Sequence, residues 1–435
     1  MWRLGLSAAL LASACQYDRP PDVMAIDARE VDAVDAPPPC TPSTIVCDDA
    51  ASVYTECDAG GSVVRQLTCP LGCATDTEQC LDIDPHNGLA MYLDMVASPP
   101  DVVLVGPATL DPMTGLIFDG GRSIDVPTFV SADGIRVFVV NSLTVQGAVA
   151  VAPSANLSHP IAVVSRGDIV IRGVVDVSAS RDLAGPGGWP GTDPQHAQGA
   201  NCIGRPVFAG PPSPGGGGGG GAVAGAPGGG TNMVAGGVPG DAQPEVDPLN
   251  GGCAGGAILA VGEAYGGGGG GGLQLASRTE IRIEGNGAID ASGGGGAPGG
   301  LNVGGTGGGA GGDVVLEAPQ VVLTGNSAVV STKGGGGGGA SSASTLAGYG
   351  ADGGLAAAAA PGGTSPIGNL GGSGGTETPP LGGADALGGG QSGGGGGGAA
   401  GTVLAGTAAG VLVPANGAAV RGRRQDELLR TRRIP

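Results

Sequence analysis

Few residues of this chain have the types and spacing that catalysis requires. A serine or cysteine nucleophile needs a histidine base within hydrogen-bond reach, and the three histidines, His86, His159 and His196, stand beside no nucleophile motif. We therefore interpret all three as structural or solvated. The single lysine, Lys333, precedes Gly334 rather than serine or threonine, which excludes a phosphate-binding loop of the Walker type.

The acidic residues offer another chemistry, the cleavage of polysaccharide by two carboxylates. The candidates lie on segments that alternate like strands, and they are Asp168, Asp176, Glu280, Glu284 and Asp290. Glu280 and Glu284 share one face, but four residues of strand separate them by about 13 Å, more than glycosidase mechanisms use. Pairs on neighbouring coils can lie closer. Arg282 between the two glutamates favours a ladder of opposite charges on a solvated face, so we assign no catalytic residue.

Aromatic residues and a calcium-type motif complete the search for chemistry. Carbohydrate sites use aromatic platforms, and those past residue 140 are Trp189, Phe208, Tyr265 and Tyr349. The stretch from Gly308 to Val315 matches one nonapeptide of the calcium-binding β-roll, whose sites need consecutive repeats. The residues from Glu317 onward do not continue the motif. We therefore predict no metal and no cofactor.

The cysteines predict disulfides. In an exported chain, six cysteines close together indicate three disulfides in a module too small for a core of its own, and the spacing leaves their pairing open. A zinc site is the alternative, although Cys69 and Cys73 alone are closely spaced and His86 is the sole nearby histidine. The cluster comprises Cys40, Cys47, Cys57, Cys69, Cys73 and Cys80, and a separated pair, Cys202 and Cys253, is expected to form a fourth bridge.

The N-terminus has the features of a secretion signal. Arg3 supplies a positive charge, and the apolar run from Leu4 to Leu11 is too short to span a bilayer. The stretch Leu11-Ala12-Ser13-Ala14-Cys15 resembles the lipobox of bacterial lipoproteins. The resemblance implies that the thiol of Cys15 is lipidated and that Cys15 becomes the new N-terminus. In some related lipoproteins, an aspartate directly after the lipidated cysteine retains the protein in the inner membrane. This chain has Gln16 at that position, so the resemblance also implies an outer-membrane or surface position.

Further along the chain, short segments repeat the alternation of apolar and polar residues and end in glycine. They are Ser142–Gly147, Asp168–Gly173, Glu280–Gly285 and Gln320–Gly325. A period of two predicts β-strands, and each segment has a further apolar strand before it and after it. Gly147 and Gly173 are 26 residues apart, close to one turn of a parallel β-helix.

We therefore predict an all-β fold, a right-handed parallel β-helix or solenoid with long glycine-rich inserts behind a small disulfide-rich module. A β-sandwich built from the same strands is the alternative. In the solenoid, inward residues stack from one coil to the next. The expected ladders are Leu143, Ile169, Ile281 and Val321, and beside it Val145, Ile171, Ile283 and Leu323.

Glycine dominates the second half of the chain. Of 95 glycines, 13 lie in the first 184 residues and 82 in the remaining 251. This composition excludes an ordinary helical enzyme, and the lack of a period of three excludes collagen. The glycines are either flexible loops or extended polyproline-type helices packed side by side. Their blocks are 215–221, 266–272, 293–296, 334–339 and 393–398.

The net charge of −19 makes nucleic acid an unlikely class of partner, because binding phosphates requires a basic face. Six arginines lie between Arg421 and Arg433. We interpret them as a solvated basic tail, with contact to anionic lipid or polysaccharide as the alternative.

These features divide the chain into nine segments. We predict a lipoprotein signal peptide (1–14), an acidic Pro-rich tether (15–39), the six-cysteine module (40–84), the N-terminal cap with the first coils (85–184), a glycine-rich insert (185–257), central coils (258–333), a second glycine-rich insert (334–401), final strands (402–420) and the basic tail (421–435).

The arrangement resembles glycine-rich exported lipoproteins of high-GC Gram-negative gliding bacteria, a group for which the resemblance implies no established activity. It is carried by the lipobox, the cysteine module, the stretches 135–140 and 167–180, and the glycine blocks. The first hypothesis is a non-enzymatic, lipid-anchored envelope or surface protein with a structural or adhesive role, whose partners are the membrane and envelope components. The alternative is a carbohydrate-active or carbohydrate-binding β-helix protein. The oligomeric state stays open.

Overall fold

The computed structural model describes residues 40–48, 52–69, 71–74, 79–192, 201–208, 210–259, 264–386 and 391–434. The predicted signal peptide, Cys15 and the tether lie outside these ranges. The described residues are nearly all β or extended, with one 3-10 segment, His86–Met91, and one short helix, α1, Tyr92–Met95. Neither helical segment in this part of the chain has the length and apolar character needed to cross a membrane.

The cysteine module is a small antiparallel sheet held by three disulfides. Its strands are β1 (Ile45–Asp48), β2 (Val53–Cys57) and β3 (Val63–Thr68), followed by β4 (Cys80–Ile83). The bridges are Cys40–Cys57, Cys47–Cys73 and Cys69–Cys80, and the insert holds the fourth, Cys202–Cys253. Disulfide sulfurs are not thiolate ligands, so the zinc alternative for this module is wrong.

The body is built from short strands. The N-terminal ones are β5 (Asp101–Leu104), β6 (Ala108–Leu110), β7 (Ile117–Asp119), β8 (Arg122–Ile124) and β9 (Thr128–Val130). Four triplets follow: β10 (Arg136–Val140), β11 (Ser142–Val145), β12 (Val149–Val151); β13 (Ile161–Ser165), β14 (Ile169–Ile171), β15 (Val174–Asp176); β16 (Leu273–Ser277), β17 (Glu280–Glu284), β18 (Ala288–Asp290); β19 (Val314–Glu317), β20 (Gln320–Thr324), β21 (Val329–Ser331). The last strands are β22 (Thr402–Thr407), β23 (Ala419–Arg421), β24 (Arg423–Leu428) and β25 (Thr431–Ile434).

The strands of the body form three sheets. Sheet I has the order β24-β22-β19-β16-β13-β10-β9, sheet II the order β20-β17-β14-β11-β5, and sheet III the order β23-β21-β18-β15-β12-β6-β7-β8. Each triplet therefore places its first strand in sheet I, its second in sheet II and its third in sheet III. Successive triplets pair in parallel, and the antiparallel partners β7, β8 and β9 lie at the N-terminal end. This topology is not that of an antiparallel sandwich.

The predicted ladders in sheet II are confirmed by the strand register. Leu143 pairs with Ile169, Ile169 with Ile281, and Ile281 with Val321, and the neighbouring ladder runs from Val145 to Leu323 in the same way. All of these side chains belong to one buried apolar core between the sheets. Each buried aliphatic side chain stabilises the fold by about 1.5–3 kcal/mol.

A second core covers the outer face of sheet I. Val137 and Val139 of β10 point into it, and Leu93 of α1 and Leu249 of the glycine-rich insert pack against the same cluster. Strands β13 and β16 are consequently buried at every position, because both faces of the sheet are covered. This explains why these strands lack the clean alternation of a half-exposed strand.

The glycine blocks are ordered and buried. In the block 215–221, every third residue faces the same neighbouring segment, which is the repeat of a polyproline II helix with three residues per turn. Gly215, Gly218 and Gly221 face Gly394, Gly397 and Ala400; Gly216 and Gly219 face Gly256 and Cys253; and Gly217 and Gly220 face Val238 and Asp241. Of the two expectations for these blocks, packed extended helices rather than flexible loops describe the structure.

Hydrogen bonds between blocks hold this glycine lattice together. The N–H of Gly219 donates to Gly308 O, that of Gly308 to Gly396 O, and that of Gly396 to Gly216 O, each at 2.9 Å. Three segments distant in sequence thus form a closed cycle. Because such a helix has no internal hydrogen bonds, lateral bonds of this kind satisfy its buried backbone groups.

The basic tail expected over residues 421–435 is largely exposed to solvent, but its described residues form paired strands rather than a free tail. Strand β24 pairs in parallel with β22, and β25 pairs antiparallel with β4 of the cysteine module. Arg432 lies 2.9 Å from both Asp82, which is fully buried, and Asp94, and Arg278 reaches the same two carboxylates. Paired in this way, the arginines join the two ends of the described chain.

The lattice predicts that alanine is excluded from its glycine positions. A Cβ at Gly218 would lie 1.9 Å from Gly397 O, whereas a Cβ at Gly210 would meet no atom within 4 Å. We expect Gly218→Ala to lower the free energy of unfolding by about 3 kcal/mol or more. Gly210→Ala, the matched control, should leave it unchanged in urea unfolding followed by circular dichroism. Equal stability of the two variants would contradict the packed lattice.

Candidate functional site

The acids of sheet II form a ladder with arginines. Arg172 Nε donates to Glu284 Oε1 at 2.7 Å, and Arg282 lies 3.7 Å from Asp168 and 3.5 Å from Glu280. All these groups are partly or largely exposed to solvent. Exposed pairs of this kind contribute little to stability, about 0–1 kcal/mol each, and their arginines occupy the carboxylates that hydrolysis would need. The predicted charge ladder is the arrangement found.

The other two acid candidates, Asp176 and Asp290, are neighbours on adjacent strands of sheet III. Ser292 Oγ donates to Asp290 Oδ1 at 2.5 Å, and Ser178 Oγ donates to Asp176 Oδ1 at 2.6 Å. Burial, together with the nearby charge of Asp176, raises the pKa of Asp290. Lys333 is buried above this sheet with its Nζ bonded to two backbone carbonyls, those of Ala356 and Ala358.

Asp176 and Asp290 are the one close carboxylate pair among the predicted candidates. Asp290 is only 9% exposed, and the segment that contains Gly354 lies against it. A polysaccharide chain has no access to a pair covered in this way. The arrangement therefore fits a structural role at the edge of the lattice better than a catalytic one.

His86 is buried and paired with two glutamates rather than solvated. Its Nδ1 lies 2.7 Å from Glu317 Oε1 and its Nε2 lies 3.1 Å from Glu427 Oε1, with the ring and Glu317 buried. Burial disfavours the imidazolium, but the hydrogen bond to Glu317 and the charges of Glu317 and Glu427 together raise the pKa of His86. Gln274 donates to Glu317 Oε2 at 2.7 Å and so extends this network across sheet I.

The remaining histidines differ from His86. His159 is half-buried, and its Nδ1 lies 2.6 Å from Gly134 O. His196 lies outside the described residues. The β-roll motif is part of the lattice, since Gly308 and Gly311 pack against neighbouring backbone. Its Asp313 accepts a hydrogen bond from Thr402 N at 3.1 Å.

A cavity of about 210 Å³ lies in the glycine-rich insert beside the disulfide Cys202–Cys253. Trp189 and Asp313 line it, together with the amide side chains of three residues: Asn201, Gln243 and Asn250. Asp313 is 7% exposed, and burial raises its pKa to about 7. A buried acid with a strongly raised pKa in a cavity that also has an aromatic wall is a candidate binding site.

A second cavity, of about 200 Å³, is lined by Tyr265, Tyr349, Arg181 and Asp182. Arg181 stacks over the ring of Tyr349 at 4.7 Å. Asp352 accepts hydrogen bonds from the backbone N–H groups of Arg181 and Gly295 next to this cavity. Because the guanidinium already covers the Tyr349 ring, that face is not open for stacking by a ligand.

Turns between the glycine helices gather at the side of the lattice farthest from the strands. We call these turns the distal edge: 208 with 210–213, 231–234, 300–303, 342–346 and 366–370. Hydrogen bonds link the last three of these turns: Asn302 N donates to Ser342 O, Ser392 Oγ donates to Asn302 O, and Asn369 Nδ2 donates to Ser392 O.

The distal edge is uncharged and combines exposed apolar side chains with serine, threonine and asparagine. None of its residues is ionisable, although the chain carries a net charge of −19. Next to the turn 231–234, Asp385 accepts a hydrogen bond from Gly230 N at 2.7 Å. Large apolar side chains are exposed in every one of these turns: Phe208, Met233, Val234, Leu301, Leu346 and Leu370. An exposed apolar patch of this kind is typical of an interaction surface.

Comparisons with protein-family models, with curated proteins and with solved structures find no match to this chain. The function therefore rests on the geometry described above.

Sequence reasoning named Trp189 as a possible aromatic platform and included Asp313 in the β-roll-type stretch, but it predicted neither the cavity that brings them together nor the Glu317–His86 pair. Asp313 follows a glycine block like many other residues, and no local pattern marks it as buried. His86 and Glu317 are 231 residues apart, so their contact follows only from the order of the strands. The one available signal was the rarity of histidine, with three in the chain.

The His86 network predicts a stability that depends on pH. Because the folded-state pKa of His86 is raised, its contribution is complete below the unfolded value near 6.5 and is lost as pH rises through the folded value. His86→Gln should lower the free energy of unfolding by about 3 kcal/mol at pH 6, and by less at pH 9. His159→Gln is the matched control. Urea titrations across this range that show the same pH slope in wild type and His86→Gln would refute the assignment.

Proposed function

We propose that the protein is a non-enzymatic, lipid-anchored component of the cell envelope or cell surface, with a structural or adhesive role. Its body is a right-handed parallel β-helix in which each triplet of strands is one coil, and the coils carry the glycine lattice outward. The mechanism is presentation: the anchor holds one end, and the lattice exposes the distal edge.

The observation that carries this proposal is the lateral bonding of the glycine helices. A flexible glycine-rich loop could not hold a surface in place, because each residue would keep its conformational freedom. In the lattice, backbone groups of distant segments bond to one another, as in the cycle of Gly219, Gly308 and Gly396. The exposed apolar side chains of the distal edge are therefore held on a rigid support.

The composition of the distal edge supports an uncharged partner. A charged surface would lose solvation against apolar side chains without gaining an opposite charge in return. An uncharged envelope or extracellular material suffers no such loss. Nucleic acid fits neither this edge nor the acidic chain.

If Cys15 carries the lipid anchor, removing its thiol should release the protein from the membrane. Cys15→Ser should move the protein from the membrane fraction to the soluble exported fraction, because no acyl chain can be attached. Ser13→Ala keeps a small residue before the cysteine and should stay in the membrane fraction. Fractionation with mass spectrometry of the N-terminal peptide measures both. An unmodified Cys15 in wild type would remove the anchor from the proposal.

The presentation role predicts that charge at the distal edge prevents contact with uncharged surfaces. We expect Leu346→Asp and Met233→Asp to reduce retention of producing cells on a methyl-terminated surface by about tenfold. Val413→Asp makes the same change at a side chain that is 70% exposed outside the lattice, and it should have no effect. Retention unchanged in the edge variants would exclude adhesion through this edge.

The second candidate function is carbohydrate binding without turnover. Cleavage is disfavoured, because the described acid candidates are paired with arginines or covered, as found for Glu284 and Asp290. Binding requires only a cavity with an aromatic wall and polar partners, and the cavity at Trp189 has both.

A further inference from the structure

The Trp189 cavity has fixed walls. The disulfide between Cys202 and Cys253 ties two of its segments together, and glycine helices supply much of the rest of its lining. Glycines 220, 221, 251, 252 and 311 contribute backbone without side chains. A small ligand can therefore approach the main chain closely, which side chains of any other residue would prevent.

The charges around the cavity restrict the ligand. Among the described residues that line it, none is lysine, arginine or histidine, so a phosphate, sulfate or carboxylate would find no counter-charge. Asp313 is the single acid, and one carboxyl group does not provide the six or more oxygens that calcium requires. The lining therefore disfavours anionic ligands and calcium.

The polar side chains that line the cavity can form hydrogen bonds with the hydroxyl groups of a ligand. Asn201, Gln243 and Asn250 are exposed at the cavity, and each amide both donates and accepts hydrogen bonds. The amide nitrogens of Gln243 and Asn250 bond to backbone carbonyls, of Ala242 and Pro248, which orients each side chain.

Asp313 adds a buried carboxyl group to this set. Its Oδ1 accepts a hydrogen bond from Thr402 N at 3.1 Å, which fixes its position. Because burial raises its pKa to about 7, the carboxyl is present near neutral pH in a form that also donates a hydrogen bond.

We propose that this cavity binds one uncharged sugar ring, with the apolar face of the ring on Trp189 and its hydroxyls bonded to Asp313 and the three amides. The volume of about 210 Å³ is smaller than the sites of drug-sized ligands, and it suits a single ring rather than a longer buried segment. The inference rests on the second candidate function, carbohydrate binding, and does not depend on the anchored scaffold.

The sequence provides its own reporter for this site. The chain has two tryptophans, and Trp2 lies in the predicted signal peptide, so replacing Trp2 with phenylalanine leaves Trp189 as the sole one whether or not that peptide is removed. Full-length Trp2→Phe protein is titrated with glucose, galactose, mannose, xylose and N-acetylglucosamine, each to about 100 mM, while tryptophan fluorescence is recorded. We expect a saturable change with at least one sugar, at a Kd of about 1 mM or below, and none with uridine.

Variants locate the site by isothermal titration with the sugar that binds best. Trp189→Phe should weaken binding about tenfold, and Asn250→Ala and Gln243→Ala about threefold or more. The two amides are exposed, so these variants keep the test valid if Trp189→Phe does not fold. Tyr349→Ala alters the other cavity and should leave the Kd unchanged.

Two results would overturn the inference. The first is the absence of a saturable response to all five sugars, or an equal response to uridine. The second is binding that Tyr349→Ala abolishes while Trp189→Phe and Asn250→Ala retain it. Because the titrations use purified protein in solution, either failure leaves the results for Cys15 and for the distal edge intact.

Discussion

Contact between backbones without intervening side chains is the constraint on which this molecule depends. A Cβ at Gly240 would lie 1.7 Å from Cys202 O, and one at Gly269 would lie 1.7 Å from Gly252 O. At such spacing, the main chains of neighbouring helices bond directly to each other. The lattice gives up the hydrophobic burial that larger side chains provide, and it gains a dense set of lateral hydrogen bonds in return.

The three sheets make this lattice possible. Extended glycine helices have no internal hydrogen bonds and lose much conformational entropy on ordering. They therefore need ordered neighbouring strands that fix their ends. The block that ends at Gly272 runs directly into β16, and the block that begins at Gly334 follows soon after β21. Each triplet of strands thus fixes where a glycine helix starts or ends, and the apolar core fixes the triplets.

The sequence predicts the sheets well and the lattice poorly, for a physical reason. In sheet II, residues such as Ile281 alternate with polar neighbours such as Arg282, so the period of two identifies both the strand and its buried face. In the block 215–221, the threefold repeat of contacts exists in space but leaves no pattern in sequence, because every residue is glycine. The burial of Glu317 and Asp313 was not predicted, because long-range packing alone produces it. The ion pairs of Arg432 were not predicted, because its partner strand, β4, lies at the other end of the chain.

The pairing of β4 with β25 has a mechanical consequence. A chain held at its N-terminal end transmits tension through the disulfide-bonded module into β4, just before the body begins. There the load divides between the covalent chain and the antiparallel pairing with β25, which the ion pairs of Asp82 with Arg278 and Arg432 reinforce. β25 closely follows β24, the last strand of sheet I. Part of the tensile force therefore passes from β25 through β24 into the C-terminal end of the body. Tension applied at one end of the sequence is thereby shared by both ends of the stack of strands.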